Sequence, residues 1–388
     1  MKELALFHSK LPKDVLAFLN KVSEQGFKSG IIGGCTRDWL REKTLSHDVD
    51  VELRPTEDLE ERELLSKFKS LIELLSKDYS VYEKGYNVHE VSVGEYSLEL
   101  GLPRLEIFNN TVGHSNFTAK FVSDMDYSNG FKRRDFTLNA IMFEYYGGQW
   151  RLVDPLNGVQ DLKLGLLRAC DNVSFVKDPV RFLRAVRFSV KLNLEMELSL
   201  IALLKNMELS LNSHYLRLET QKGQKPLTML SVCCELRPSV FPFEFLSKHQ
   251  ILIEEYERSF RMGELKQHIA QCLFLTLPQR QAVLKFLELK QKSIVEINLK
   301  EINLGKIKSL SLADLSNLSW SSQMLQLIAK AGEFDQKKLD WILKEEGVEF
   351  GVDFLEKYEE LKIEIPKEVP NKLKNYYLLQ EKTKILTS

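Results

Sequence analysis

The sequence predicts a mixed α/β head followed by a long helical body. Up to about residue 150, short apolar runs with strand-like alternation recur among helical segments. From about residue 174 onward, apolar residues recur at helical spacing in a background rich in Leu, Lys and Glu. We therefore expect an α/β head over residues 1–150, a helical neck over 151–235 and a helical body and tail over 236–388.

The head is predicted to open with a helix over residues 11–27, because Pro12 lies near its start and Gly26 at its end. A short helix is also expected over residues 36–44. Residues 104–130 contain NN, GH and SNG and are expected to form a long loop. The strands predicted before this loop are, in order, 28–32, 47–53, 79–85, 89–94 and 96–102.

Length and composition limit the classes to which the protein can belong. The 388 residues suffice for two or three domains, and 44% hydrophobic with 28% charged residues is ordinary for a globular chain. The formal net charge of -1 does not indicate a polyanion partner, although the chain can still carry a local basic surface. The five scattered cysteines show no metal-ligand spacing, so we expect reduced thiols. No signal peptide or apolar run of ~20 residues is seen, so we expect a soluble cytoplasmic protein without a membrane span.

Asp48 and Asp50 are the first candidate catalytic residues. They lie at i and i+2 on a predicted strand, so both side chains point to the same face. Two neighbouring carboxylates favour a divalent cation, and Mg²⁺ favours a few carboxylates together with substrate phosphates. The pattern suits two-metal phosphoryl or nucleotidyl transfer. A DxD pair alone also occurs by chance, so an ordinary polar strand remains open at this point.

Two glycines precede this strand and open the predicted short helix. Gly33 and Gly34 would let backbone N–H groups approach a triphosphate at a helix N-terminus, and the guanidinium of Arg37 could form an ion pair with its phosphates. A plain turn is the alternative interpretation. The strand, the glycine turn, the helix and the DxD strand form an ordered unit, which favours the phosphate interpretation.

Residues 133–140, RRDFTLNA, form a second cluster. Asp135 could accept a hydrogen bond from a ribose 2′-OH, and Arg134 could contact a phosphate. The structural alternative is a surface ion pair for Arg133 or Arg134 and a helix cap at Asp135. Residues 153–162 suit a rigid turn, and we expect a hinge between head and body there.

Asp178, Arg181 and Arg184 lie roughly along one face of a helix that begins near Pro179. Cytosine and adenine both place an amino group beside a ring-nitrogen acceptor. A carboxylate that accepts and a guanidinium that donates could therefore select C and A and reject G and U. The alternative is an aspartate at a helix start with ordinary surface arginines.

Five stretches now stand in order along the chain. They are GGCTRDWL with HDVD, LELGLPRLE, RRDFTLNAI, DPLNGVQDLKLGLLRA and DPVRFLRAVRF. Together they resemble the bacterial-type tRNA nucleotidyltransferase (CCA-adding enzyme) and poly(A) polymerase family, within the polymerase-β-like nucleotidyltransferase superfamily. The resemblance covers roughly residues 30 to 190, about half of the chain.

The resemblance implies a role for each matching residue. Asp48 and Asp50 correspond to catalytic, metal-binding carboxylates, and Glu99 corresponds to an acidic position that supports the metal site. Residues 104–130 fall where the family has a flexible loop that helps the switch from C to A. The nucleotide-binding positions implied for this chain are Gly33, Gly34, Arg37, Arg134, Asp135, Asn139, Asp178, Arg181 and Arg184.

Three departures from the family pattern stand out. Lys177 replaces a usual glutamate beside Asp178, which could alter nucleotide choice. Thr36 replaces a usual valine, and we expect only a packing change. Residues 213–223 carry a degenerate form of a later motif, and we expect a break in structure near 213–226. We find no HD phosphohydrolase pattern in the C-terminal half.

The resemblance implies addition of CCA, from CTP and ATP, to the 3′ end of tRNA with Mg²⁺ in a two-metal mechanism. CC-only addition, A-only addition and poly(A) tailing of another RNA are close alternatives. A catalytically inactive RNA-binding relative is the alternative from another class. The oligomeric state is left open by the sequence.

Overall fold

The computed structural model describes residues 2–108, 117–248, 250–259, 265–270, 272, 275 and 277–289. By internal contacts the chain divides into two compact units, residues 1–211 and 212–388. The predicted divisions after residues 150 and 235 stay predictions. The last strand of the main sheet, Gln149–Val153, runs past residue 150.

Seven strands of the first unit form one mixed sheet, in the order β3-β4-β5-β2-β1-β8-β9. The β2–β5 pair is parallel, and the other pairs in this sheet are antiparallel. These seven strands are β1 (Phe27–Ile32), β2 (Asp48–Pro55), β3 (Ser80–Gly85), β4 (Val88–Val93), β5 (Tyr96–Gly101), β8 (Met142–Tyr146) and β9 (Gln149–Val153). Two further pairs form separate two-stranded sheets, β6 (Arg104–Phe108) with β7 (Phe117–Phe121) and β10 (Leu166–Leu167) with β11 (Glu195–Met196).

Helices pack around this sheet and continue the chain beyond it. In the first unit they are α1 (Lys2–Lys10), α2 (Lys13–Glu24), α3 (Gly34–Glu42), α4 (Glu61–Leu75), α5 (Tyr127–Phe131), α6 (Gly158–Leu164), α7 (Asn172–Phe175), α8 (Val180–Leu192) and α9 (Leu198–Asn206). A single 3₁₀ turn, Thr137–Asn139, precedes β8.

The main apolar core lies between the sheet and α1 to α4. Phe18 of α2, Trp39 of α3 and Phe68 of α4 are buried in one cluster with Val51 of β2 and Leu98 of β5. Strand β2 alternates at its start, with its valines in this core and its aspartates exposed. Burial of one strand face therefore fixes the register and turns the two aspartates to the opposite face.

The prediction of a long loop over residues 104–130 is wrong for residues 104–108, 117–121 and 127–130, whereas residues 122–126 form neither helix nor strand. Strands β6 and β7 pair as an antiparallel hairpin, and α5 follows them. The sequence RLEIF alternates polar and apolar residues, as a strand does, but the turn-forming residues around it dominated the prediction. Residues 109–116 lie outside the described residues.

The regular elements described in the second unit are all helices, which agrees with the all-α prediction. The break expected near residues 213–226 is wrong over most of its length, because α10 occupies Ser213–Gly223. The helices of this unit are α10 (Ser213–Gly223), α11 (Pro226–Leu236), α12 (Glu244–Lys248), α13 (Gln250–Ser259), α14 (Leu265–Ala270) and α15 (Leu277–Phe286). The helical segments predicted beyond residue 289 lie outside the described residues.

Short strands also occur in the region predicted as purely helical neck. The two-residue strands β10 and β11 pair in parallel and hold the end of α6 close to the start of α9. The described residues contain no helix whose length and apolar character would let it cross a bilayer.

Candidate active site

Gly33 joins strand β1 to helix α3 and lies directly against Asp50. Its φ of +88° belongs to the region that favours glycine, and a Cβ built on it would lie 2.7 Å from Asp50 Oδ2. Ile32, the residue before it, pairs in register with Asp50 of β2. The glycine therefore lets the start of α3 and the Asp50 carboxylate approach each other.

The two predicted catalytic aspartates lie on the exposed face of β2. Asp48 and Asp50 are both exposed, whereas Val49 and Val51 between and after them are buried. Arg134 approaches from another segment, with its Nη1 atom 3.9 Å from Asp50 Oδ2. The structure therefore brings together Gly33, Asp50 and Arg134, three of the residues predicted from separate motifs.

The donor set at this face fits a magnesium ion that takes only part of its coordination from protein. Two exposed carboxylates lie two residues apart on one strand face, and Gly33 lets the backbone approach Asp50 closely. In the described part of the chain, no group of three or more His, Cys, Asp or Glu side chains is placed to hold a metal. The pair of carboxylates, Asp48 and Asp50, suits Mg²⁺, which commonly combines one or two carboxylates with water and substrate phosphates.

Glu99, the residue implied as a supporting acid, is engaged elsewhere. It pairs in register with Asp50 across the β2–β5 ladder. Its Oε1 atom accepts a hydrogen bond from Lys84 Nζ at 2.6 Å, and the same ammonium group lies 2.5 Å from Glu90. Hydrogen bonds from Lys84 to these two carboxylates raise the pKa of the lysine. Glu99 therefore faces a protein cation, and its role toward a metal stays a proposal.

Arg37, which is predicted to contact the triphosphate, has a buried side chain that binds other protein groups. Its Nη1 atom donates to Asn139 Oδ1 at 2.7 Å, and its Nε atom donates to Asp38 at 2.8 Å. Its guanidinium lies 5.1 Å from the centre of the Phe188 ring. A triphosphate at the start of α3 would therefore meet Arg37 only after some of these contacts are exchanged.

Asp135 is buried and accepts four hydrogen bonds. Oδ1 accepts from Asn139 Nδ2 and from the backbone N–H of Phe136, at 3.0 and 2.8 Å. Oδ2 accepts from Arg184 Nε and Nη2, at 2.8 and 2.5 Å. Burial raises the pKa of Asp135, but Arg184 and Asn139 outweigh that effect and hold the pKa well below its ordinary range. An ionised carboxylate has about four acceptor positions, and all four are occupied here.

Asp178 and Arg181, the predicted base-selecting pair, lie one turn apart at the start of α8. Asp178 Oδ1 accepts from the backbone N–H of Val180, and Asp178 Oδ2 is 3.9 Å from Arg181 Nε. Arg181 is buried, and its Nη2 atom donates to the backbone carbonyl of Arg133 at 2.5 Å. Its Nη1 atom has no hydrogen-bond partner among the described residues.

Sequence reasoning missed Glu52, a buried carboxylate on the same strand face as the two aspartates. Glu52 forms ion pairs with Arg54 at 2.8 Å and with Arg133 at 3.2 Å. Burial raises its pKa, and the two arginines bring the pKa below its ordinary value. The i, i+2, i+4 spacing of Asp48, Asp50 and Glu52 was a signal that could have found it.

A cavity of about 210 Å³ lies beside Asp50 and is bounded by charged side chains. Arg133, Arg134 and Glu99 are among the residues that line it. Burial lowers the pKa of Arg134, and the neighbouring Arg133 lowers it further. The surface ion pair considered for Arg133 is instead a contact with a buried partner, Glu52.

Thr36 does more than alter packing. Its hydroxyl is fully buried and donates to the carbonyl oxygen of Ile141, the residue just before β8, at 2.8 Å. It also lies 3.1 Å from the carbonyl of Gly33. The expectation of a packing change alone is therefore wrong, because the hydroxyl ties the glycine turn to the neighbouring strand.

The first unit combines a mixed sheet with two neighbouring carboxylates beside a glycine turn. Residues 30–168 match the model of the poly A polymerase head domain. This match covers about a third of the chain and shows what the head is similar to.

Two curated proteins are similar to part of this chain. The CCA-adding enzyme of Leuconostoc mesenteroides is 27% identical over 190 residues, which cover 47% of this chain and 42% of that protein. Poly(A) polymerase I of Haemophilus influenzae is 30% identical over 192 residues, covering 48% and 40%. The match thus spans less than half the length of each relative.

A solved complex of a CCA-adding enzyme with ATP shares the fold. It superimposes with a TM-score of 0.54 at 18% sequence identity, and the alignment covers 98% of this chain and 92% of that chain. The likeness supports the expected architecture of an α/β head followed by helices.

Proposed function

We propose that this chain is a template-independent RNA nucleotidyltransferase that adds C and A, from CTP and ATP, to the 3′ end of tRNA. One observation carries the proposal most directly. Asp50 lies beside Arg134, and the backbone of the adjacent Arg133 binds Arg181. The candidate metal-binding, phosphate-contacting and base-reading groups are thus linked within one set of contacts.

Asp48 and Asp50 would hold Mg²⁺ together with the triphosphate of the incoming nucleotide. Bound Mg²⁺ would activate the RNA 3′-OH and stabilise the pyrophosphate leaving group. Arg134, next to Asp50, would contribute a positive charge to the phosphates. Gly33 keeps the start of α3 close to this point, where backbone N–H groups favour an anion.

Arg181 and Asp178 would select the base. The Nη1 atom of Arg181 is buried and finds no partner in the described part of the chain, and a buried unpaired donor is unfavourable. A ring-nitrogen acceptor of cytosine or adenine would satisfy it, while Asp178 would accept from the exocyclic amine. Guanine and uracil present a donor where this arginine also donates, which disfavours them.

The test uses the full chain, Mg²⁺, labelled CTP or ATP, and tRNA that lacks its 3′ CCA. We expect incorporation by the native chain and none by a double variant with Asp48→Ala and Asp50→Ala, with RNA binding retained. Asp14→Ala, an exposed aspartate of α2, serves as the matched control and should retain activity. Binding of tRNA without incorporation by the native chain would support the inactive-relative alternative instead.

The composition of the product separates the subtypes. The names of the two relatives cover both CCA addition and poly(A) synthesis, so both remain candidates. Addition of CCA supports the proposal, whereas CC alone, a single A or a long A tail identifies one of the alternatives. The same assay with a non-tRNA 3′ end tests the choice of RNA.

A further inference from the structure

Glu52 is a buried acid that no step of the proposed reaction uses. It is 4% exposed and lies two residues after Asp50 on β2. Arg54 donates to its Oε1 atom, and Arg133 Nη2 donates to its Oε2 atom at 3.2 Å. A buried charge of this kind persists only with its partners, so the contact with Arg133 is a constraint on both residues.

Glu52 lies between two glycines in the sheet. In the strand pairings, Glu52 lies opposite Gly30 of β1 on one side and opposite Gly101 of β5 on the other. Neither neighbour has a side chain. Arg133 reaches Glu52 from a segment 81 residues further along the chain.

Arg133 connects Glu52 to two candidate functional groups. Its backbone carbonyl accepts from Arg181 Nη2 at 2.5 Å. The next residue, Arg134, lies 3.9 Å from Asp50. A side chain that fixes Arg133 therefore limits the movement of both Arg181 and Arg134.

We propose that Glu52 is a positioning residue for nucleotide selection, which holds Arg133 so that Arg181 faces the base and Arg134 faces the triphosphate. This inference rests on the proposed function. It assigns Glu52 no contact with substrate. Its effect passes through Arg133 alone, because Arg54 is also held by the carbonyl of Met125 and by the face of the Tyr127 ring.

The primary test is Glu52→Gln, which keeps the shape of the side chain and removes its charge. Kinetics of single-nucleotide addition would be measured for CTP, ATP, GTP and UTP on tRNA that lacks CCA. We expect KM for CTP and ATP to rise about tenfold and the preference for C and A over G and U to fall about tenfold, a size typical of a displaced contact. Affinity for a non-hydrolysable CTP analogue, measured without RNA, should fall in parallel.

Glu144 offers a matched control. It is equally buried and paired with Arg151 at 2.5 Å, and it lies opposite Gly30 on the other side of β1. Glu144→Gln should lower the melting temperature to a similar degree and leave nucleotide preference unchanged. Glu52→Asp should restore part of the preference lost in Glu52→Gln.

Arg133→Met probes the same contact from its other partner and keeps the proposal testable if Glu52→Gln does not fold. The two substitutions should be non-additive, because both remove one interaction. If the native chain adds C and A and both variants keep its nucleotide preference, the inference about Glu52 is overturned and the proposed function stands. A native chain that adds no nucleotide overturns the proposed function, and the inference with it.

Discussion

Arg184 donates two hydrogen bonds to a single carboxylate oxygen of Asp135, and so joins helix α8 to the segment before β8. The other oxygen of Asp135 binds Asn139, which in turn accepts from Arg37 of α3. One buried carboxylate thus fixes side chains from three parts of the first unit. Since its acceptor positions are filled, its contribution to folding is measurable apart from any contact with ribose.

Asp135→Asn should lower the free energy of unfolding by about 3 kcal/mol at neutral pH, because it leaves Arg184 without its buried counter-charge. The folded-state pKa of Asp135 lies below its ordinary value. Its stabilising effect is therefore complete above that ordinary value, about 3.9, and is lost as the pH falls further.

Urea unfolding between pH 7 and pH 3 would measure this effect. The native chain should lose stability more steeply than Asp135→Asn at the acid end. Asp14→Asn on the exposed face of α2 is the control and should follow the native chain. Parallel curves for the native chain and Asp135→Asn would show that the ion pair contributes nothing to acid sensitivity.

Gly33→Ala should impair activity more than stability. The added Cβ would lie 2.7 Å from Asp50 Oδ2, and the φ of +88° adds backbone strain of about 1–2 kcal/mol. Displacement of the Asp50 carboxylate should lower incorporation by about 100-fold. The measurement is single-nucleotide addition alongside thermal unfolding.

Gly148→Ala separates the two effects of the Gly33 substitution. Gly148 has a φ of +80°, but a Cβ there would meet no atom within 4 Å. The Gly148→Ala variant should therefore lose stability through backbone strain and keep full nucleotide-addition activity. Equal activity of the two alanine variants would mean that contact with Asp50 is unimportant.

The parts of this molecule that the sequence predicted well depend on local patterns. The alternation of β2 placed Asp48 and Asp50 on one face, and burial of the intervening valines is enough to explain it. The start of α8 followed from Pro179 and the helical spacing after it. The general order of strands and helices in the head has the same local origin.

What the sequence could not predict depends on distant contacts. The partner of Glu52 is 81 residues away, and the residue that turns Arg37 inward is 102 residues away. No local spacing indicates either contact. The β6–β7 hairpin was missed for a different reason, because turn-forming residues between its strands outweighed their short alternation.

Lys84→Met should strengthen metal binding if Glu99 supports the metal site. The lysine now holds Glu99 and Glu90. Its removal takes away one positive charge and leaves the Glu99 carboxylate available next to Asp50. At an effect of ~1 kcal/mol for one charge near the surface, half-saturating Mn²⁺ should fall by about fivefold.

Mn²⁺ binding would be followed by electron paramagnetic resonance on the full chain, so that the readout does not depend on activity. Lys43→Met removes a lysine from a surface pair with Glu3 and serves as the control. An unchanged Mn²⁺ affinity in Lys84→Met would remove Glu99 from the metal site.

Arg181→Lys should relax base selection while leaving catalysis of the correct nucleotides partly intact. Lysine keeps the positive charge but lacks the planar fork, so it cannot bind the Arg133 carbonyl and a ring nitrogen at fixed angles. A lost pairing of this kind reduces discrimination by about 1–3 kcal/mol. We therefore expect GTP and UTP to enter at least about tenfold more readily relative to CTP and ATP.

Arg187→Lys provides the comparison on the same helix. Arg187 is also buried, and its guanidinium lies 4.2 Å from the centre of the Phe188 ring. Competition between labelled CTP and UTP on one tRNA measures discrimination directly and cancels differences in the amount of folded protein. The interpretation requires Arg181→Lys to change this ratio and Arg187→Lys to leave it unchanged. Equal ratios in the two variants would assign Arg181 to folding, with base selection carried by other residues.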